Sequence, residues 1–380
     1  MAKWGRRGGA FDESVTRSTA FVQPPLAVPT EFSNRRLVGI QSLRGVAALM
    51  VVFHHVQDQS IGFRELANTS AGQAGVDLFF VISGFVMVYV THQRERSSPQ
   101  FLAMRAIRII PVYWFYTIGA ALLMAIAPRL FRSNELSLRH VLYSLLFLPH
   151  QSGEDSISPI VKQGWTLNYE VFFYSLFAIA IALSARRRVS ITAGFLCLLV
   201  TVGFYLEFSG RTLGTADFYF NNIILEFAFG MLIGRAYLMG AFGKVHSMVG
   251  IALVLIGFAG LVLLDPFLTY SNRALTYGVP SALIVMGVLA LESRYRTFRL
   301  PGLQLAGDAS YSIYLVHGFP VAALRAVWGH LGLSMHGALN FTLFLFSSFV
   351  IVIFCGLISY YAVERTTLRF LRPRIERLFG

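Results

Sequence analysis

Residues 37–56 read LVGIQSLRGVAALMVVFHHV, and this stretch decides the fold. It matches the ~20 residues an α-helix needs to cross a hydrocarbon core of ~30 Å. Its polar content is confined to Gln41, Ser42, Arg44, His54 and His55. Outward from it, nine further apolar runs follow, so that ten spans cover approximately 38–57, 72–90, 109–128, 167–185, 190–208, 219–239, 247–264, 277–292, 310–328 and 338–362. One additional apolar piece, Val141 to Leu148, is too short to cross and reads as an interfacial or re-entrant segment. The predicted fold is therefore all-α, a polytopic integral membrane bundle of about ten transmembrane helices.

Composition points the same way. Only 13% of the 380 residues are charged, against about 25% in a soluble chain, while 55% are hydrophobic. These values exclude a disordered chain, a coiled coil, a collagen-like fibre and a soluble enzyme. A net charge of +13 would suggest nucleic acid as partner of a soluble protein. In an apolar chain its source is the Lys/Arg bias of cytoplasmic loops, so no nucleic acid is expected. With the N-terminus inside, 23 of the 32 Lys and Arg fall on cytoplasmic segments and 7 outside, while Arg44 and Arg325 lie within spans. Both termini are accordingly expected in the cytoplasm.

Residues 1–36 are polar, with Pro24, Pro25 and Pro29, and read as a disordered cytoplasmic arm without the apolar core of a signal peptide. Residues 37–370 form the membrane domain, and 371–380 a basic cytoplasmic tail. Cys197 and Cys355 sit far apart in apolar runs, so neither a disulfide framework nor a metal site is expected. The sequence holds no Walker loop, dinucleotide fingerprint or HExxH helix.

Charge at membrane depth is costly, and each such residue is a candidate for function. Arg44 and His55 are eleven residues apart, which leaves them about 20° apart around one helix and about 16 Å apart along it. They face one groove, with His54 about 80° away towards a neighbouring helix. The 16 Å is close to the reach of a pantetheine arm, with a guanidinium for phosphates at one end and an imidazole for a thioester at the other. The competing reading makes Arg44 a snorkelling cation and His55 a structural histidine. Arg105 and Arg108 share a face at the cytoplasmic mouth of the third span, suited to polyphosphate or simply obeying the positive-inside rule.

Asp77 and Glu170 lie near the outer ends of their spans, and either could orient the imidazole of His55; as alternatives, both are acids near helix N-termini. Tyr314 and His317, spaced i, i+3, line a donor channel or hold helices together. Asp308 and Ser310 read as helix caps, Glu364 as an ion-pair residue, and Glu226 as a buried acid without an assigned partner.

Five stretches carry a resemblance: IQSLRGVAALMVVFHH (40–55), AGVDLFFVISGFVM (74–87), RAIRIIPVYW (105–114), GWTLNYEVFFY (164–174) and SYSIYLVH (310–317). In this order they resemble the membrane-bound acyltransferase 3 family, and IQSLRG with the double histidine is most similar to its exopolysaccharide acetyltransferase branch. The resemblance covers about residues 37–370. It implies an O-acyltransferase of the bacterial inner (cytoplasmic) membrane that uses acyl-CoA, foremost acetyl-CoA, without a metal. Arg44, Arg105 and Arg108 would hold the CoA phosphates. His55 would act as general base or as acyl carrier, and Asp77 and Glu170 map onto the family's motif acids. The implied acceptor is a hydroxyl of a glycan or lipid-linked saccharide. The alternative from another class is a transporter of an anionic or acyl-linked solute, with Arg44, His55, Asp77 and Glu170 along its path.

Overall fold

The computed structural model describes residues 37–59, 69–128, 136–151, 157–294, 300–334 and 336–379. The expected N-terminal arm, 1–36, lies outside the described residues. Fourteen α-helices follow one another: α1 Val38–Gln59, α2 Gly75–Gln93, α3 Ser98–Ile126, α4 Leu138–Leu145, α5 Trp165–Leu183, α6 Arg188–Phe208, α7 Leu225–Leu238, α8 Ser247–Leu263, α9 Val279–Arg294, α10 Pro301–Asp308, α11 Ser310–Val316, α12 Gly318–His330, α13 Ala338–Ser359 and α14 Arg365–Phe379. Among the described residues no strand forms beyond one isolated bridge between Gln151 and Ile157.

Seven helical segments are long and apolar enough to cross a membrane: Ala71–Gln93, Ser98–Ile126, Lys162–Leu183, Arg188–Phe208, Gly214–Leu238, Ala274–Arg294 and Ala338–Phe379. Three further elements occupy the remaining expected spans. In α1, Gln41, Arg44 and the two histidines lower the apolar content. The second, α8, is 17 residues long. The third is α11 with α12, which meet at His317. There the backbone keeps helical dihedrals, but Pro320 has no N–H to give the carbonyl four residues back, so the ladder is interrupted.

Two boundaries differ from expectation. The third span begins at Ser98, not near 109, because Ser97 caps it and Pro99 occupies the first turn. Arg105 and Arg108 therefore lie inside the helix and not at its mouth. Residues 371–379 are not a separate tail, since α13 runs through a π-helical turn, Tyr360–Glu364, straight into α14. The short segment after 136 is as expected an element that cannot cross: eight-residue α4, closed by Phe147 in the left-handed region at φ 58°.

Burial separates a central column from a lipid-facing rim. Of the most apolar stretch of each crossing segment, 78% is buried in α2 but only 17% in α6 and 22% in the α13–α14 helix, so α2 is the column. On the rim, residues such as Leu198, Phe346 and Phe354 face outward, as lipid requires. Without a hydrophobic drive between helices in lipid, close packing of small residues does the joining. A Cβ at Gly84 would lie 2.1 Å from the Phe227 carbonyl oxygen, and one at Gly230 1.9 Å from that of Val81. Only glycine allows α2 and α7 to touch backbone to backbone. Gly307 does the same for α10 against α1, where Gln41 also donates to Asp308 at 2.7 Å. Asp308 is thus an interhelical acceptor, not the cap expected of it.

Candidate active site

α1, α2, α3, α5 and α11 enclose a cavity of about 90 Å³. Its α2 wall runs from Val76 to Met87, about 16 Å of helix rise. Arg44, Arg105, Arg108, Glu170 and Tyr314 all line it, so five of the eight candidate residues converge there, from four helices. Ser83, Thr166, Tyr174, Ser310 and Tyr311 complete the polar lining.

The charge in this cavity is unbalanced. None of the three guanidinium groups forms an ion pair with a carboxylate among the described residues, and the buried Arg105 Nε has no hydrogen-bond acceptor. Glu170, the one acid in the lining, accepts instead from Tyr174 and from Ser83 Oγ at 3.3 Å. Glu364 is a further acid whose field reaches Arg44, yet its Oε2 accepts from Ser312 Oγ at 2.6 Å and the expected ion pair is not formed. Ser310 does not cap a helix; its Oγ is buried in the cavity wall without a partner. Buried cations without counter-ions are costly unless an anion arrives to pair with them. Three cations and one carboxylate thus line the cavity, with no ion pair between them among the described residues.

His55 does not line this cavity. It lies one layer further out and joins it through two rings. Tyr314 lines the cavity, its ring centroid lies 6.0 Å from His317, and His317 stacks on His55 at 4.9 Å. Tyr314 also ties α11 to the start of α5, donating to the Gln163 carbonyl at 3.0 Å and meeting Thr166 Oγ1 at 2.8 Å. Tyr314 thus lines the cavity and at the same time links two helices.

His317 has no free nitrogen. Its Nδ1 lies 2.6 Å from the Tyr314 carbonyl oxygen, which can only accept, so Nδ1 carries the proton. Nε2 is then the acceptor for the Gln163 side-chain amide at 3.4 Å. His54 is engaged by Asp58 Oδ2 at 3.4 Å, and its Cβ packs over Gly72, so it faces a neighbouring element as the helix geometry predicts. His55 makes ring contacts with both histidines, and no hydrogen bond holds its own nitrogens among the described residues.

The expectation that Asp77 orients His55 is corrected. Asp77 is fully buried, and both its oxygens accept from Arg273, Oδ1 from Nε at 2.9 Å and Oδ2 from Nη2 at 2.7 Å. A bidentate guanidinium leaves that carboxylate committed. Gln73 binds the same arginine at 3.3 Å, and the ring of Tyr277 lies 5.4 Å from its charge. Glu226 is buried beside this pair, with its carboxyl group against that of Asp77 and within the field of Arg273. Glu170 does not reach His55 either, since it turns into the cavity. The neighbours of the His55 ring are imidazoles, not acids.

Sequence reading missed Arg273, which counted only as one of the outside cations, and it missed Gln163, Tyr174 and Tyr311. Tyr311 donates to the Ile109 carbonyl at 2.7 Å and fixes α11 against α3. The signal for Arg273 was the depth of Asp77: a carboxylate within a span requires a cation at the same level.

Comparison with known proteins agrees with this arrangement. The family model described as an acyltransferase domain, acyltransferase 3, matches residues 37–360. Among curated proteins, the exopolysaccharide production protein ExoZ of Rhizobium meliloti (strain 1021) is 38% identical over 81% of this chain and 92% of its own. The acyltransferase MdmB of Streptomyces mycarofaciens is 24% identical over 78% and 82%. The O-acetyltransferase OatA of Staphylococcus aureus (strain NCTC 8325 / PS 47) is 22% identical over 76% of this chain and 51% of its own. No solved structure matches the chain. Its helices, its cation-lined cavity and these matches together place the chain in the acyltransferase 3 family, as a multi-pass membrane acyltransferase.

Proposed function

We propose that this protein transfers an acyl group, most simply acetyl, from cytoplasmic acyl-CoA to a hydroxyl of a cell-surface or exported glycan, at the bacterial inner membrane. The observation that carries this reading is the convergence of Arg44, Arg105 and Arg108, without carboxylate partners, on one cavity whose wall residue Tyr314 is joined by ring contacts through His317 to His55. The arginines would hold phosphate oxygens in charge-assisted hydrogen bonds. The pantetheine arm would lie along α2, and the thioester would pass the Tyr314 layer to reach the imidazole.

Because both nitrogens of His317 are engaged, it positions His55 and takes no proton. His55 then serves in one of two ways. As general base it removes the proton of the attacking hydroxyl while the new C–O bond forms and the C–S bond breaks, and the proton passes to the leaving thiolate. As acyl carrier it takes the acyl group on a ring nitrogen, releases CoA thiol, and yields the group to the hydroxyl in a second step. The glycan acceptor draws support from the exopolysaccharide relative, which is similar over nearly its whole length.

The test is acetyl-CoA binding by the purified protein, together with glycan acetylation in cells. His55→Ala is expected to bind acetyl-CoA as the parent does and to transfer nothing, whereas Arg44→Ala binds weakly. Normal surface-glycan acetylation in cells carrying His55→Ala would refute the assignment of His55.

A further inference from the structure

The cavity accounts for only part of an acyl-CoA. At about 90 Å³ it admits a slender arm, far below the ~300–1,000 Å³ of sites that enclose whole drug-sized ligands. The nucleotide must then lie beyond Arg105 and Arg108, towards the start of α3. Ser98, the first residue of that helix, is about two turns from Arg105. Immediately before it come Arg94 and Arg96, and α14 packs against α3 and carries Arg372.

Two of these arginines share one acid, whose field also reaches the third. Glu376 Oε1 lies 3.6 Å from Arg94 Nη1 and 3.1 Å from Arg372 Nε. Arg96 Nε is buried without a hydrogen-bond partner. Burial first, and then the charges of Arg372 and Arg94, push the Arg96 guanidinium down from its ordinary value. Arg96 also acts electrostatically on Arg105, so the arginines before α3 lie within electrostatic reach of the cavity. The positive-inside bias calls for cations on this side, but it does not gather three around a single acid or bury an Nε without an acceptor.

We propose that Arg94, Arg96 and Arg372 form a separate phosphate subsite that receives the ribose 3′-phosphate of the acyl-CoA, while Arg105 and Arg108 take its pyrophosphate. This assignment rests on the acyl-CoA reading above. It makes α14 part of the donor site and gives the α13–α14 helix a reason to continue past the membrane. A phosphate anion fits such a cluster whether it comes from a nucleotide or from a lipid headgroup, so the test separates these sources.

The full-length protein in phosphatidylcholine nanodiscs is titrated with CoA and with 3′-dephospho-CoA. The parent is expected to bind CoA ~10-fold or more tightly than the dephospho form. Arg96→Ala and Arg372→Ala are each expected to bring CoA down to the dephospho level, with dephospho-CoA affinity unchanged. Equal affinity of the parent for the two ligands, or an undiminished ratio in both variants, overturns the subsite while leaving the acyl-CoA reading intact. Absence of CoA binding by the parent overturns both. If the variants differ from the parent only in discs containing phosphatidylglycerol, the cluster serves a lipid headgroup and the proposal fails.

Discussion

Arg273 and Arg105 are both drawn into the bundle, yet the first is closed by the two hydrogen bonds it donates to Asp77 and the second has an Nε with no acceptor. Around Arg273 stand Gln73, Tyr277 and Asp77, contributed by the short 3-10 turn before α2, the π-helical turn before α9 and α2 itself. Around Arg105 stand Arg108, Arg44 and the faces of Phe101 and Tyr174, at 5.8 and 6.0 Å from its charge. A charge answered within the protein belongs to the architecture. A charge left unanswered, in a cavity, is answered by a ligand. The two arginines thus divide the candidate residues into those that are paired within the bundle and those that, in the reading proposed above, hold the donor.

The largest effect is expected from breaking the closed pair. Arg273→Ala or Asp77→Ala leaves a buried charge uncompensated, at a cost of ~3–5 kcal/mol. Thermal unfolding in detergent reads this directly, and an unchanged midpoint would break the comparison. Next, Arg44→Ala is expected to lower acetyl-CoA affinity ~10- to 100-fold, because charge-assisted hydrogen bonds contribute ~1.5–3 kcal/mol. Its unfolding midpoint is expected to hold or rise, since a buried cation without a partner has been removed. A fall as deep as that of Asp77→Ala would make Arg44 structural.

Glu226→Gln sharpens the boundary of the closed cluster. Glu226 meets Asp77 carboxyl to carboxyl, a contact in which the amide of Gln can donate, so the change is expected to fall within ~1 kcal/mol in either direction. A loss matching Asp77→Ala would place Glu226 inside the pair's network. The smallest effect is expected at Ser310, whose hydroxyl is buried without a partner. Ser310→Ala should shift stability by no more than ~0.5 kcal/mol and leave donor affinity nearly unchanged. A large loss of affinity in that variant would show that the ligand itself supplies the missing partner.

Much of this division could be read from the chain before folding. Helical periodicity alone sets Arg44 and His55 on one face, because both lie on the uninterrupted α1. The i, i+3 spacing that joins Arg105 to Arg108 likewise survives as a shared cavity wall. What periodicity could not supply was the assignment of the acids. Asp77 and Glu170 stood at similar depth and looked equivalent, whereas one meets an arginine 196 residues away and the other a tyrosine on the next turn of its own helix. Similarly, His317 lay one turn from Tyr314 in the sequence, and nothing local announced that it would stack on His55.

The sequence by itself determined the membrane setting, the succession of helices, and the line of Arg44 and His55 along α1, since these depend on apolar length and on the 3.6-residue turn. Tertiary structure decided which charges were answered and which remained open. Pairing across helices depends on where glycine contacts such as Gly84 with Phe227 and Gly307 with Gln41 bring the backbones together. Those crossings place Asp77 against Arg273 and leave the three arginines around an open cavity, because the energy of a buried charge depends on its neighbours in space and not on its neighbours in the chain.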